Sequence, residues 1–215
     1  MNKWIYSLCP LLMVLSAMGQ TAKPVHPQDL KGYTVPSEPA NLQPAATTLN
    51  DAKYHVSFRV PAGWDSERKD GVLSTFSKDV RSASSSLILR GVASINYNPY
   101  PASTFSGALF YYSIQPGMNA DSCAAVTHSR TLKPAPDVKV NNVAFHHGHD
   151  EYGGTCTEAR NDVYTTLSGT SCVRFDLVVN TFCPQSSGAM PINEKQLNDI
   201  YGRLNGMLNS IHIQK

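Results

Sequence analysis

Residues 160–183, RNDVYTTLSGTSCVRFDLVVNTFC, decide the fold because they predict two long strands joined by a tight turn. Both halves are rich in Val, Tyr, Thr and Phe, which favour strands, and the turn residues Ser168, Gly169 and Thr170 lie between them. The second strand has one apolar face, formed by Val173, Phe175, Leu177 and Val179. We therefore expect an antiparallel hairpin with one buried face.

The cysteines extend this hairpin prediction. A two-residue turn after Ser168 sets a register that brings Cys156 opposite Cys183, where a disulfide would close the open end of the hairpin. Cys123 and Cys172 would then form the second pair. Four cysteines allow three pairings, so free or differently paired thiols are the alternative.

The first 19 residues have the pattern of a secretory signal peptide. Lys3 gives a positive start, a mostly apolar run follows, and Ala17, Met18 and Gly19 form a small-x-small cleavage site. A retained membrane anchor is the alternative, but the run is short for a span. We expect a periplasmic or secreted protein without stable membrane insertion after cleavage. In such an oxidising compartment, the four remaining cysteines favour two disulfides.

The rest of the chain divides into a linker and one domain. Residues 20–51 contain five prolines and few large apolar residues, which predicts a flexible, Pro-rich linker. Residues 52–215 suffice for a single α+β domain. The whole chain has 18 Lys and Arg against 16 Asp and Glu, and no basic run. This nearly balanced charge argues against a nucleic-acid partner.

Hydrophobic patterning predicts an α+β fold with a mostly antiparallel sheet. Strands are expected near residues 54–60, 71–77, 87–95, 107–115 and 138–149. A short mid-chain helix should begin after Asn119. A C-terminal amphipathic helix should begin after Asn193, where Gln196 completes a capping box, and pack on the sheet.

The segment 146–151, HHGHDE, is the densest group of polar, chemistry-bearing residues. On a strand, His147 and His149 share one face, and Glu151 joins them if the strand continues. Imidazoles at this spacing can bind Zn²⁺ or Cu²⁺. The third ligand could also be another histidine, at position 55, 128 or 212. The alternative is a solvated strand end whose histidines respond to pH.

Catalytic motifs do not emerge from the sequence. There is no G-x-S-x-G, P-loop or dinucleotide-binding pattern, so we expect a non-enzymatic protein without a cofactor. A hydrolase whose nucleophile and base meet only in the fold is the competing interpretation. Tyr97, Tyr100 and Phe105 lie in a loop. They would form an interaction surface if exposed, or pack on the core if not.

Two short motifs resemble PsbP/Mog1-like domains. These are FRVPAGW at residues 58–64, a strand followed by a P-x-G-W turn, and LNSIHI at residues 208–213, the close of the last helix. The resemblance implies an antiparallel sheet with helices packed on its faces. It also implies a non-catalytic binding or assembly module, since the family includes an extrinsic photosystem subunit and a partner of a small GTPase. No functional residue of the family matches, and the cysteines and histidines lie outside its pattern.

Together these observations predict an exported, non-enzymatic binding module whose partner is an unknown protein or envelope component. The alternative is a transition-metal protein that binds Zn or Cu through His147, His149 and Glu151.

Overall fold

A seven-stranded antiparallel sheet is the centre of the fold. The computed structural model describes residues 39, 41–68, 76–80, 84–128, 131–154, 156–184 and 188–214. Its strands are β1 (Thr47–Asp51), β2 (Val56–Val60), β3 (Trp64–Glu67), β4 (Ile88–Ile95), β5 (Phe105–Pro116), β6 (Lys133–Val140), β7 (Val143–Gly154), β8 (Thr157–Ser168), β9 (Ser171–Phe182) and β10 (His212–Ile213). The large sheet has the order β3-β4-β5-β9-β8-β7-β6, and a smaller sheet has the order β1-β2-β10. The predicted α+β class is confirmed.

The hairpin predicted from residues 160–183 is the β8–β9 pair. Ser168 lies opposite Ser171, and the register continues without interruption to Thr157 opposite Phe182. Gly169 has φ +58°, a backbone conformation that favours glycine in tight turns. The predicted turn and register are confirmed. Because β5 pairs with β9 on its other side, the hairpin occupies the middle of the sheet.

Within the described residues, three α-helical segments accompany the sheet. They are α1 (Phe76–Asp79), α2 (Ala120–Ala125), which runs into a 3-10 turn, and α3 (Glu194–Asn209). Asn119 caps α2 and Asn193 caps α3, each through a capping box. Gln196 is the reciprocal partner of Asn193, so the predicted start of the C-terminal helix is confirmed.

Each face of the large sheet carries a hydrophobic core. Helix α3 and the small sheet pack on the first face, where Phe175 contacts the rings of Phe58, Phe110, Tyr112 and Phe145. The second face carries a smaller cluster that includes Phe76, Tyr111 and Val178. Period-two alternation along β9 directs odd-numbered residues to the first face and even-numbered residues to the second.

The Pro-rich linker predicted for residues 20–51 is wrong at its C-terminal end. Thr47–Asp51 forms β1 and pairs with β2, and Leu49 is buried. Asp51 is also buried, and the Arg90 guanidinium donates to both of its carboxylate oxygens at 2.7 and 2.9 Å. The error arose because polar residues 47, 48 and 50 on the outer side concealed a short edge strand.

Two other predictions fall partly or wholly outside the described residues. The signal peptide at residues 1–19 lies outside them, as does the linker up to residue 38. The strand predicted at 71–77 lies mostly outside them, and its end is wrong because Phe76 begins helix α1.

Candidate functional site

The four cysteines described by the structure form two pairs at disulfide distance. The Cα atoms of Cys156 and Cys183 are 4.5 Å apart, and those of Cys123 and Cys172 are 5.3 Å apart. These are the pairs that the hairpin register favoured. The first closes the end of β8 and β9, and the second ties α2 to β9. Two such pairs are typical of proteins that fold in an oxidising compartment.

The histidine segment lies on β7, where strand pairing sets its neighbours. His147 is opposite Tyr164 of β8, and the two rings stack with centroids 4.3 Å apart. His149 is opposite Asp162. His147 and His149 therefore share one face, as the spacing predicted, and that face also bears the Asp162 carboxylate.

Asp162 is the centre of this group, which we call the His-Asp cluster (His147, His149 and Asp162). The Oδ1 atom of Asp162 accepts a hydrogen bond from His147 Nε2 at 2.9 Å and one from His149 Nδ1 at 3.0 Å. The Asp162 side chain is 17% exposed, against 16% for His147 and 32% for His149. The cluster is thus a half-buried carboxylate shared by two imidazoles.

Electrostatics favour a charged form of this cluster. The hydrogen bond that His149 donates to Asp162 raises the pKa of His149, and burial opposes this only in part. Burial would raise the pKa of Asp162, but the hydrogen bonds from His147 and His149 outweigh it and lower that pKa. A protonated His149 and an ionised Asp162 therefore stabilise each other.

Tyr201 of helix α3 packs against the core that contains Tyr164 and lies within the electrostatic reach of Asp162. The Tyr201 hydroxyl is buried and has no hydrogen-bond partner within the described chain. Burial, reinforced by the negative charge of Asp162, raises the pKa of Tyr201. Further along the same face, Arg160 donates to Glu151 Oε1 at 3.1 Å and to Glu158 Oε2 at 3.0 Å. These ion pairs direct the two glutamates toward Arg160.

The predicted metal ligands are only partly brought together. Glu151 is 59% exposed, and its Oε1 lies 3.7 Å from His149 Nε2. His146 points to the other side of the strand and pairs with Asp137 at 3.0 Å. In the part of the chain that the structure describes, no group of three or more His, Cys, Asp or Glu side chains is arranged to hold a metal ion. Metal binding by His147, His149 and Glu151 stays a prediction.

The aromatic loop is not an exposed surface. Tyr97 and Tyr100 are half-buried and pack against the first core, and Phe105 is buried within it. The Tyr100 hydroxyl donates to Asp199 of α3 at 2.8 Å. The loop therefore anchors α3, which is the second of the two interpretations offered by the sequence.

An open groove lies instead between the end of α3 and the turn after β2. Its volume is about 430 Å³, and we call it the α3 groove. It is lined by Leu42, Arg59, Pro61, Ala62, Trp64, Arg203, Gly206 and Met207. Trp64 and Met207 form the floor, since each is only 1% exposed, and Arg59 is exposed.

Local backbone chemistry builds the wall of the α3 groove. Gly63 has φ +78°, and a Cβ at this position would lie 2.7 Å from the Tyr97 ring. Only glycine fits this turn, which places Pro61 and Ala62 beside the helix. The Gly63 N–H donates to the Pro44 carbonyl at 2.9 Å, which holds the segment containing Leu42 in place.

A second feature keeps the α3 groove open on the helix side. A Cβ built at Gly206 would meet no atom within 4 Å. The same is true of Gly202, one turn earlier, which does not line the groove. Any larger side chain at position 206 would project into this open space. Both glycines also lower the helix propensity of α3.

Comparisons with known proteins give likenesses in fold alone. No protein-family model matches the chain, and no curated protein matches it. The solved structures that the chain resembles include PsbP and Mog1, the proteins to which the two short sequence motifs pointed. The chain is similar to cyanobacterial PsbP from Synechocystis, with 12% identity, TM-score 0.45, and 79% of this chain and 93% of that chain covered.

Two further solved structures show the same kind of likeness. LpqN of Mycobacterium tuberculosis, involved in cell envelope biogenesis, has 9% identity and TM-score 0.44, with 79% of this chain and 91% of that chain covered. The Ran-binding protein Mog1p of Saccharomyces cerevisiae has 7% identity and TM-score 0.41, with 78% and 95% covered. No helix in the described ranges has the length and apolar character needed to cross a membrane.

Proposed function

We propose that the protein is exported and acts outside the cytoplasm as a non-enzymatic binding module, and that it holds its partner in the α3 groove. The observation that carries this proposal is an open groove with half-buried apolar walls over a buried apolar floor, with two arginines beside it. Concave, mostly apolar sites with a few polar groups are where proteins usually bind ligands. The partner is a protein or an envelope component.

The α3 groove is a better candidate than the His-Asp cluster. The two imidazoles and the Asp162 carboxylate already satisfy one another at 2.9 and 3.0 Å. A partner would have to replace those hydrogen bonds, which leaves little net gain. The apolar lining of the groove needs no such exchange, because covering the half-buried Leu42, Pro61 and Ala62 removes apolar surface from water.

Export has its own support and its own test. The signal-peptide pattern of residues 1–19 and the two cysteine pairs agree on an oxidising, extracytoplasmic compartment, periplasmic or outside the cell. Intact-mass spectrometry of the protein from its producing cells should give a chain that begins at Gln20 and lacks four hydrogens, one pair for each disulfide. A chain that keeps residues 1–19, or four free thiols, would contradict export.

Photo-crosslinking in the producing cells tests binding in the α3 groove. Leu42, a half-buried lining residue, is replaced by a photoreactive phenylalanine analogue of similar polarity. The matched control carries the same analogue at Ile88, which is 46% exposed on β4 and does not line the groove.

We expect an adduct from position 42 and none of the same mass from position 88. An adduct larger by the mass of a protein identifies a protein partner, and a small mass increment identifies an envelope component. Equal adducts from both positions, or none from position 42, would contradict the proposal.

Transition-metal binding is a second candidate, favoured by the convergence of two imidazoles on one oxygen of Asp162. Carboxylates and imidazoles are ligands of Zn²⁺ and Cu²⁺. A metal ion would have to displace the hydrogen-bonded protons, so binding would release protons into the buffer.

Calorimetry in two buffers of different ionisation enthalpy measures both affinity and proton release. Stoichiometric Zn²⁺ or Cu²⁺ binding with proton release, lost in His147→Ala/His149→Ala and retained in Glu151→Gln, would establish a site centred on Asp162. Equal binding by wild type and the double variant would exclude these histidines.

A further inference from the structure

We propose that the ligand of the α3 groove is an amphiphile with an aliphatic chain and an anionic headgroup. This inference rests on the proposed function, because it names the class of molecule that the groove holds. It commits to a small amphiphile rather than to a peptide. Three features of the groove carry it: the chemistry of its floor, the position of its arginines and its size.

The floor fits a hydrocarbon chain better than a polypeptide. The half-buried side chains of Leu42, Pro61 and Ala62 supply apolar surface over the buried Trp64 and Met207. Pro61 has no backbone N–H, and Gly206 and Met207 lie within α3, where backbone groups bond along the helix. A peptide laid here would bury its own N–H and C=O groups against partners that cannot satisfy them, at a cost that an aliphatic chain avoids.

The arginines favour an anionic headgroup. The Arg59 side chain is exposed, and within the described residues neither a hydrogen bond nor an ion pair engages its guanidinium. The backbone N–H of Arg59 donates to Ser210 Oγ at 2.8 Å, which holds this part of β2 at the end of α3. The backbone of Arg59 is therefore held in place, while its guanidinium stays available. Such a guanidinium is suited to bind a carboxylate or phosphate.

The second arginine is already positioned. Arg203 donates to Asp199 at 3.2 Å and to the Tyr97 hydroxyl, and its guanidinium lies 6.0 Å from the centroid of the Tyr97 ring. Arg59 and Arg203 are the charged residues among the described groove-lining set, so the lining carries positive charge. That charge discriminates against cationic amphiphiles.

The size of the groove sets the scale of the ligand. Its volume of about 430 Å³ falls within the range of small-molecule sites. A single chain of medium length fits this range. Each methylene that the floor covers should then strengthen binding by up to about fourfold.

The protein supplies its own probe for the experiment. The sequence has two tryptophans, Trp4 and Trp64, and Trp4 lies in the predicted signal peptide. The mature chain therefore carries Trp64, in the groove floor, as its single tryptophan. Dodecanoate, dodecyl phosphate, dodecyl maltoside and dodecyltrimethylammonium are titrated below their micellar concentrations while Trp64 fluorescence is followed. Calorimetry of the same mixtures gives the stoichiometry.

Four variants separate the groove from the rest of the surface. Gly206→Leu fills the groove, and Gly202→Leu places the same side chain in open space one turn away. Arg59→Gln removes one rim charge, and Lys133→Gln removes an exposed charge on β6. Both leucine variants should fold, because replacing glycine within a helix raises helix propensity.

We expect dodecanoate and dodecyl phosphate to bind with a stoichiometry of one and at least tenfold more tightly than dodecyl maltoside, with dodecyltrimethylammonium weakest. Gly206→Leu should abolish binding, and Gly202→Leu should retain it. Arg59→Gln should weaken binding of both anionic probes about tenfold and leave dodecyl maltoside unchanged, since a hydrogen bond to a charged group contributes on this scale. Lys133→Gln should change nothing.

Three results would overturn the inference. Equal binding of anionic and neutral probes would show that the arginines do not select the headgroup. Binding that survives Gly206→Leu would place the ligand elsewhere. Binding by none of the four probes would exclude amphiphiles as ligands of the α3 groove. Adducts from position 42 in cells would then still support the proposed function, with a partner of another class.

Discussion

Replacing Asp162 with asparagine should destabilise the protein in a pH-dependent way. The substitution keeps a side chain of the same shape and one oxygen acceptor, but it removes the charge that His147 and His149 share. Both imidazoles donate to the same Oδ1 atom, at 2.9 and 3.0 Å. The loss should therefore be electrostatic, with little change in packing.

The magnitude follows from the two hydrogen bonds. A hydrogen bond to a charged group contributes about 1.5–3 kcal/mol, against about 1 kcal/mol for a neutral pair. Since the His149 side chain is 32% exposed, solvent screening reduces its share. We expect Asp162→Asn to lower the free energy of unfolding by about 1–2 kcal/mol near pH 5.5.

The sign of the pH dependence comes from the two pKa shifts. The pKa of His149 is raised above 6.5 in the folded state, so its contribution is complete below pH 6.5 and disappears as the pH rises through the folded value. The pKa of Asp162 is lowered below 3.8, so its contribution is present above 3.8 and disappears as the pH falls through the folded value. The largest difference between wild type and variant should lie between pH 4 and pH 6.5.

Urea unfolding with the disulfides intact, at pH 5.5 and at pH 8.5, measures this difference, and NMR titration of the imidazole protons measures the pKa of His149 directly. Asp137→Asn is the matched control, because Asp137 pairs with His146 at 3.0 Å but is 58% exposed. It should cost about 0.5 kcal/mol or less at either pH. Equal losses at both pH values, or an unchanged His149 pKa in Asp162→Asn, would refute this account of the cluster.

Three further predictions concern stability measured by urea unfolding at pH 7. Arg174→Met should lower the free energy of unfolding by about 3–5 kcal/mol, because it leaves the buried carboxylate of Asp176 without the guanidinium of Arg174. Arg174→Met/Asp176→Leu should recover much of that loss, and additive losses in the double variant would contradict this. Asn193→Ala should lower the free energy of unfolding by about 1 kcal/mol because the N-cap of α3 is lost, and an unchanged free energy would show that the cap does not stabilise the protein. Cys156→Ser/Cys183→Ser should cost about 2–4 kcal/mol, and wild-type stability would show that the pair does not restrain the unfolded chain.

The sequence predicted the elements that depend on neighbouring residues. The alternation along residues 172–182 and the turn at Gly169 fix the central hairpin, and the capping box of Asn193 and Gln196 fixes the start of α3. Such signals depend on residues that are close in sequence, so they can be recognised without knowledge of tertiary contacts. Strand β1 was missed because its buried residues, Leu49 and Asp51, are few, and because one of them is charged.

The candidate site was predicted in part. The shared face of His147 and His149 follows from strand periodicity, but Asp162 lies 13 residues after His149 and meets it only through the β7–β8 register. Gly153 and Gly154 could have located the turn that fixes this register, since Gly154 is opposite Thr157. Glu151, chosen because it continues the same face, accepts a hydrogen bond from Arg160 at 3.1 Å and lies farther from His149, at 3.7 Å.

The α3 groove could not be predicted from sequence. Its residues come from the segment before β1, from the turn after β2 and from the far end of the chain, and no short-range pattern connects them. The motif PAGW contributes Pro61 and Ala62 to the wall and Trp64 to the floor, but in the sequence it indicates only a family resemblance. Only the packing of α3 turns these residues into one surface.

The central claim is that a partner occupies the α3 groove, and one measurement tests it directly. The photoreactive residue at position 42 is placed in three backgrounds in the producing cells: wild type, Gly206→Leu and Gly202→Leu. We predict that the adduct disappears in Gly206→Leu, where the groove is filled, and persists in Gly202→Leu, where the same side chain lies outside it. An adduct of unchanged yield in Gly206→Leu would contradict the claim.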